Sequence, residues 1–148
     1  MKVRIIDISE GVHAIIADQA IPCGSVVIPI LGTETDKPAV HTVMIEAGKH
    51  LDVTNESRYT LHSCEPNSKF DISSRQVIAT KYIDRNQLVT FDYATTEYDM
   101  AQKFTCLCKS ENCRGVIAGF AHLSKELKKK FIEEDLVSPA IKCLYKNE

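Results

Sequence analysis

His62-Ser63-Cys64-Glu65-Pro66-Asn67, read together with Cys106-Leu107-Cys108 and Cys113 further along the chain, decides how this protein is read. Cys64 stands alone, and three cysteines follow as C-x-C-x4-C. Zinc takes four thiolates at the corners of a tetrahedron, and two cysteines one residue apart can supply adjacent corners. Cys113 closes a small knuckle, and Cys64 is the natural fourth ligand. Such a site ties the C-terminal segment onto the middle of the chain. Disulfides or unrelated core thiols are the competing readings. Met1-Lys2-Val3-Arg4 runs straight into a strand-like segment with no secretory signal. A reducing compartment disfavours disulfides and favours metal for clustered cysteines. Cys23 and Cys143 lie outside the pattern and are expected to pack as small hydrophobes.

With 148 residues and 44% hydrophobic content, the chain can bury one modest core. It contains no apolar run long enough to span a bilayer, so no membrane partner is expected. A net charge of −2 and a pI near 6.2 leave no electrostatic footprint for nucleic acid, and no direct nucleic-acid partner is expected either. Lys128-Lys129-Lys130 is followed by Glu133, Glu134 and Asp135 and reads as the solvated face of a helix. The setting is expected to be intracellular, cytoplasmic or nuclear.

The first hundred residues read mainly as short strands. Val3 to Ile8, Ala14 to Ala17, Ser25 to Leu31, Val40 to Glu46, Gln76 to Tyr82 and Gln87 to Tyr93 are rich in β-branched and aromatic residues. Pro22-Cys23-Gly24, Ala47-Gly48-Lys49 and Asp84-Arg85-Asn86 supply turn chemistry between them. Helical signals concentrate after Gly119. Ser124 is an N-cap candidate, Leu123, Leu127 and Phe131 share one helical face, and Ser138-Pro139 starts a last short helix. The fold class is therefore mainly β, with short C-terminal helices.

His62-Ser63-Cys64-Glu65-Pro66-Asn67 resembles the Asn-His-Ser-Cys-x-Pro-Asn signature of SET-domain lysine methyltransferases. Leu88-Val89-Thr90-Phe91-Asp92-Tyr93 is similar to that family's Glu-Leu-Thr-Phe-Asp-Tyr strand. Cys106-x-Cys108-x4-Cys113-Arg114-Gly115 is similar to its post-SET zinc knuckle. Ile83-x-x-Asn86 stands where the family commonly has Ile-x-x-Gly. Gly119-Phe120-Ala121-His122-Leu123 resembles the helix start found after the knuckle in small stand-alone members. The resemblance implies a β-clip-like fold of small, knotted sheets. It places the SET domain at 1–104 and the post-SET knuckle and C-terminal helices at 105–148.

The resemblance further implies an S-adenosylmethionine-dependent methyltransferase acting on the amine of a protein or peptide lysine. A small-molecule amine is the other possible acceptor. Tyr93 is the expected catalytic residue, its hydroxyl standing beside the transferring methyl. A phenol with a pKa near 10 is a poor general base at neutral pH, so an orienting role is expected. Arg58 would hold the methionyl carboxylate of the cofactor, and His62 would meet the adenine through its backbone. Leu107 would pack on that adenine, and Leu61 and the loop His13-Ala14-Ile15 complete the expected cofactor contacts. One structural zinc on Cys64, Cys106, Cys108 and Cys113 would complete the pocket. His41, His50 and His122 read as surface or turn residues.

Three departures fall on the sites themselves. Leu61 replaces the signature Asn, and a Leu side chain cannot hydrogen-bond. Val12-His13-Ala14 stands where the family has a Gly-x-Gly cofactor loop, and Ile30-Leu31-Gly32 stands where it often has Tyr-x-Gly. The stretch between Gly32 and Leu51 is short and suggests an open substrate surface. Beside the active lysine methyltransferase, two other readings stay open: a catalytically silent, zinc-stabilised interaction module, and a SET-type enzyme acting on a small-molecule nucleophile.

Overall fold

Short runs of β-branched residues broken by polar turns give short strands that pair in several small sheets rather than one large one. The computed structural model describes residues 1–148. The strands are β1 (Val3–Ser9), β2 (Val12–Ala17), β3 (Val26–Pro29), β4 (Gly32–Thr35), β5 (Thr42–Glu46), β6 (Lys49–Val53), β7 (Leu61–His62), β8 (Ser68–Asp71), β9 (Gln76–Ala79), β10 (Thr90–Phe91), β11 (Phe104–Thr105) and β12 (Val116–Ile117). Two helices close the chain, α1 (Lys125–Glu133) and α2 (Pro139–Lys146). β1 pairs with β2, β11 pairs with β12, and the orders β3-β9-β8 and β4-β6-β5 make two three-stranded sheets. β7 and β10 form a parallel pair, Leu61 opposite Thr90 and His62 opposite Phe91. The mainly β class with two C-terminal helices is as the sequence implies.

The main core is aliphatic and draws on β2, β3, β6, β8 and β9, with Phe70 stacked on Phe91 at 3.9 Å between ring centroids. β2 is buried from Ala14 to Ala17, because β1 covers one edge and residues 87–89 the other. Ala17 N–H donates to Gln87 C=O at 2.9 Å, and Val89 N–H to Ile15 C=O at 3.0 Å. Only Thr90 and Phe91 of the expected 87–93 strand pair as β10. The residues before them serve β2, and Asp92 then caps a 3₁₀ turn, its side chain accepting from Ala94 N–H. A second core joins Ala94 to Phe120, Phe131, Val137 and Ile141, so both helices dock behind that turn.

The expected Ser124 cap forms, and Ser138, at the expected start of the last helix, caps it too. Ser124 Oγ accepts from Leu127 N–H at 3.2 Å, and Ser138 Oγ from Ile141 N–H at 3.4 Å. Beside the two-residue β7, β11 and β12, three longer strands lie outside the sequence-based reading: β4, β6 and β8, with the sequences GTET, KHLDV and SKFD. Their polar composition hides them, and the register of their neighbours creates them. Two expectations are corrected. Cys23 and Cys143 are exposed rather than packed, one in the turn after Pro22 and one on the outer side of α2. His50 is 6% exposed, because β6 turns it inward beside Met44 rather than leaving it in the hairpin turn.

Candidate functional site

All six cysteines are free, and four of them meet. The Sγ atoms of Cys64, Cys106, Cys108 and Cys113 all lie within 4.8 Å of one another. A tetrahedral zinc with Zn–S bonds of about 2.3 Å needs sulfurs about 3.8 Å apart, and Cys64 and Cys106 stand at 3.9 Å. Backbone N–H groups already face these sulfurs: Arg114 N–H donates to Cys64 Sγ and Cys108 N–H to Cys106 Sγ, each at 3.4 Å. Burial first, and the neighbouring cysteines after it, push the Cys64 and Cys106 thiols upward in pKa. A cation is the natural means of holding both as thiolates. The donor set, spacing and N–H···S support all fit a structural metal.

The signature block and the Phe-Asp-Tyr strand are locked to this cluster by a buried relay. His62 Nδ1 accepts from Tyr93 N–H at 3.1 Å, which leaves Nε2 as the protonated nitrogen, 3.4 Å from Cys64 Sγ. Burial lowers the His62 pKa to about 4, so the imidazole is neutral. Arg114, just after Cys113, forks onto the buried Asp92 with bonds of 2.7 and 2.8 Å. Asn67 closes the signature: its Nδ2 donates to Leu88 C=O at 2.7 Å, and its Oδ1 accepts from Thr90 N–H at 2.9 Å. Neither the Asp92–Arg114 fork nor the Asn67 clamp was assigned from sequence, although all three residues lie inside the quoted motifs.

Beside this relay opens a cavity of about 620 Å³. Tyr93, Thr60, Leu61, Arg58 and His13 line it, as do Met44, His50, Glu97 and Phe104. The Tyr93 hydroxyl donates to Thr60 C=O at 3.1 Å. Burial raises its pKa to about 12, so it stays a neutral phenol. Arg58 lies 5.6 Å from the Tyr59 ring centroid, and its Nε is buried with no hydrogen-bond partner. Such an orphaned guanidinium nitrogen suits a carboxylate of a bound ligand.

The expected cofactor residues divide. His13, Arg58 and Leu61 line the cavity. Ala14 and Ile15 are fully buried in β2 behind it. The His62 side chain faces the relay, 2% exposed. Leu107 is 83% exposed and lies outside the lining. His13 is held by Asp7 at 2.6 Å and packs edge-on against Tyr59.

No protein-family model matches the chain. It is 32% identical over 130 residues to Methyltransferase flvH of Aspergillus flavus, which covers 84% of this chain and 70% of that protein. It is 28% identical over 142 residues to the Histone-lysine N-methyltransferase, H3 lysine-36 specific, of Yarrowia lipolytica, covering 80% of this chain but only 18% of that longer protein. Among solved structures, KRYPTONITE in complex with mCHG DNA and SAH superposes with a TM-score of 0.63 at 23% identity, over 78% of this chain and 28% of KRYPTONITE. This likeness shows the same fold. It also overturns the expectation that nucleic acid is excluded, since a protein of this fold is solved on DNA. Net charge averages over the whole surface and does not report a local docking site.

Proposed function

The chain belongs to the SET-domain methyltransferase family, and we propose that it is an S-adenosylmethionine-dependent N-methyltransferase whose acceptor is the side-chain amine of a protein lysine. The observation that carries this reading is the convergence of the Tyr93 hydroxyl, the Thr60 carbonyl and the unpartnered Arg58 on one cavity whose Phe104 wall runs into the cysteine cluster. The relative named for histone-lysine methylation supports a lysine acceptor and an intracellular, nuclear setting.

Bound S-adenosylmethionine would supply a methyl group activated by its sulfonium. The chain's own residues do the rest. Arg58 receives the methionyl carboxylate. The neutral Tyr93 hydroxyl and the Thr60 carbonyl fix the direction from which the amine nitrogen approaches, and alignment of this kind can lower a barrier by about 7–11 kcal/mol at best. Apolar walls at Leu61, Met44 and Phe104 keep water from the reacting nitrogen. Cys64, Cys106, Cys108 and Cys113 would hold one structural zinc, tying the segment after Phe104, the last residue of the cavity wall, to the signature block. Leu107 would pack on the adenine when the cofactor is bound, giving that exposed side chain a partner.

Calorimetric titration of the zinc-loaded protein with S-adenosylhomocysteine tests the pocket, and tritium transfer from S-adenosylmethionine to arrayed lysine peptides tests the acceptor. Micromolar binding and peptide labelling are expected. Tyr93→Phe should bind the ligand normally and lose about a hundredfold in turnover. Unchanged turnover in that variant removes Tyr93 from the mechanism. Absence of binding at millimolar ligand favours the silent interaction module, for which Leu61, unable to hydrogen-bond inside the cavity, is the supporting residue.

A further inference from the structure

Amine methylation leaves a proton to be placed. A lysine-type ammonium has a pKa near 10.4 and must lose one proton before its nitrogen can attack. The Tyr93 phenol stays protonated and cannot take it. Two carboxyl groups line the cavity; that of Asp99 is taken up by His122, and that of Glu97 has no task in the mechanism above. Its Oε1 is buried with no hydrogen-bond partner, and none of the ion pairs of the molecule includes it.

The backbone fixes Glu97 with respect to Tyr93. Glu97 N–H donates to Tyr93 C=O at 3.0 Å, just beyond the 3₁₀ turn that Asp92 caps, and both residues line the cavity. Glu97 C=O accepts from Phe120 N–H at 2.8 Å, which anchors it to the second core. Burial pushes its carboxyl up to about 8, offset in part by Met44 N–H. A buried carboxylate oxygen left unpaired, as Oε1 is, is costly, and either a proton or a cation removes that cost. The other charged groups on the lining do not serve. Arg58, Lys103 and His41 make no bond to it, His13 is held by Asp7, and Asp99 is exposed and engaged with His122 at 2.8 Å. His50, whose Nδ1 is the other orphaned acid-base atom on the lining, is shifted by burial toward its neutral form and brings no counter-charge.

We propose that Glu97 is the ammonium subsite of this cavity: its carboxylate receives the cationic amine of the substrate and takes one proton from it, passing a neutral nitrogen to Tyr93. In that step an N–H bond breaks, its electron pair stays on nitrogen, and an O–H bond forms on Glu97. Alkylammonium plus carboxylate become amine plus carboxylic acid, with charge balanced. The proton-transfer half rests on the amine-methylation reading, whereas the binding half does not.

The test uses the zinc-loaded full chain with ¹³C-carboxyl-labelled glutamate. n-Butylammonium chloride and n-butanol are titrated separately at neutral pH and followed by NMR. The Glu97 resonance, identified by its loss in Glu97→Gln or, should that variant not fold, by its shift in Glu97→Asp, should move with the cation and not with the alcohol. Glu97→Gln should lose about tenfold or more in affinity for the cation and bind S-adenosylhomocysteine unchanged. A Glu97 resonance indifferent to butylammonium, or equal cation affinity in the variant, overturns the subsite. In turnover assays the rise of rate with pH should move upward in Glu97→Gln, toward the pKa of the free amine, and an unmoved profile overturns the proton transfer. Failure of the wild type to bind S-adenosylhomocysteine defeats the methyltransferase reading alone, because cation binding is read without it.

Discussion

Asp92 is the residue on which the two halves of the site meet. Its side chain is 2% exposed and receives both arms of Arg114, while its backbone leads directly into Tyr93. Removing one partner of a buried ion pair typically costs about 3–5 kcal/mol, because the other charge is left uncompensated. Asp92→Ala should lower the urea-unfolding free energy by about that much, and a loss within the error of the measurement would show that Arg114 finds solvent instead. Glu97 makes a different prediction. Its pKa is raised from 4.5 to about 8, so the folded state binds its proton more tightly than the unfolded chain does. The stability it contributes is full below the unfolded value and is lost as pH rises through about 8. Between those limits the wild type should lose melting temperature relative to Glu97→Gln, and parallel curves for the two proteins would sink this assignment. Arg58, Asp99, Lys103, His41 and His50 share the cavity, and the comparison of wild type with variant cancels their common contribution. Asn86 shows how much a single position can be read from sequence. It stands where a Gly is common and adopts φ 71°, a left-handed conformation that Asn tolerates better than most side chains.

Among the elements, the helices were the easiest to read. Ser124 and Ser138 announce α1 and α2 by a chemistry that acts within four residues, and each hydroxyl caps its helix. β7 and β10 were legible as motifs but not as a pair. Their parallel ladder joins residues nearly thirty apart, and a two-residue strand carries no periodicity to detect. Gly119 governs the step from β12 into the helices. It sits at φ 109°, and an added Cβ would stand 2.6 Å from Tyr98 O, a backbone atom that cannot step aside. Gly119→Ala should therefore destabilise the protein by about 2 kcal/mol through strain and overlap. Calorimetric melting checks this, and an unshifted transition would mean that the 98–99 segment yields.

Across the whole molecule, two cores are joined through the cysteine cluster and the Asp92–Arg114 fork. The larger core does not draw on residues beyond Tyr93, whereas the smaller one depends on the C-terminal segment. Chelation should therefore raise hydrogen exchange first in residues 104–118 and then in α1 and α2, while β2, β8 and β9 stay protected. Simultaneous loss of protection throughout would show that the metal holds the entire fold. Short-range chemistry in the sequence determined the mainly β class, the Ser124 cap, the C-x-C-x4-C knuckle and the family motifs, because each is a property of residue type and local spacing. Tertiary structure alone decided that Cys64 meets the knuckle within bonding range of a metal, that His50 turns inward, that Leu107 stays in solvent and that Asp92 pairs with Arg114. It also decided that Glu97 Oε1 and Arg58 Nε end buried without partners on one cavity. Those outcomes depend on strand register and on contacts between distant segments, for which no periodic or compositional signal exists along the chain.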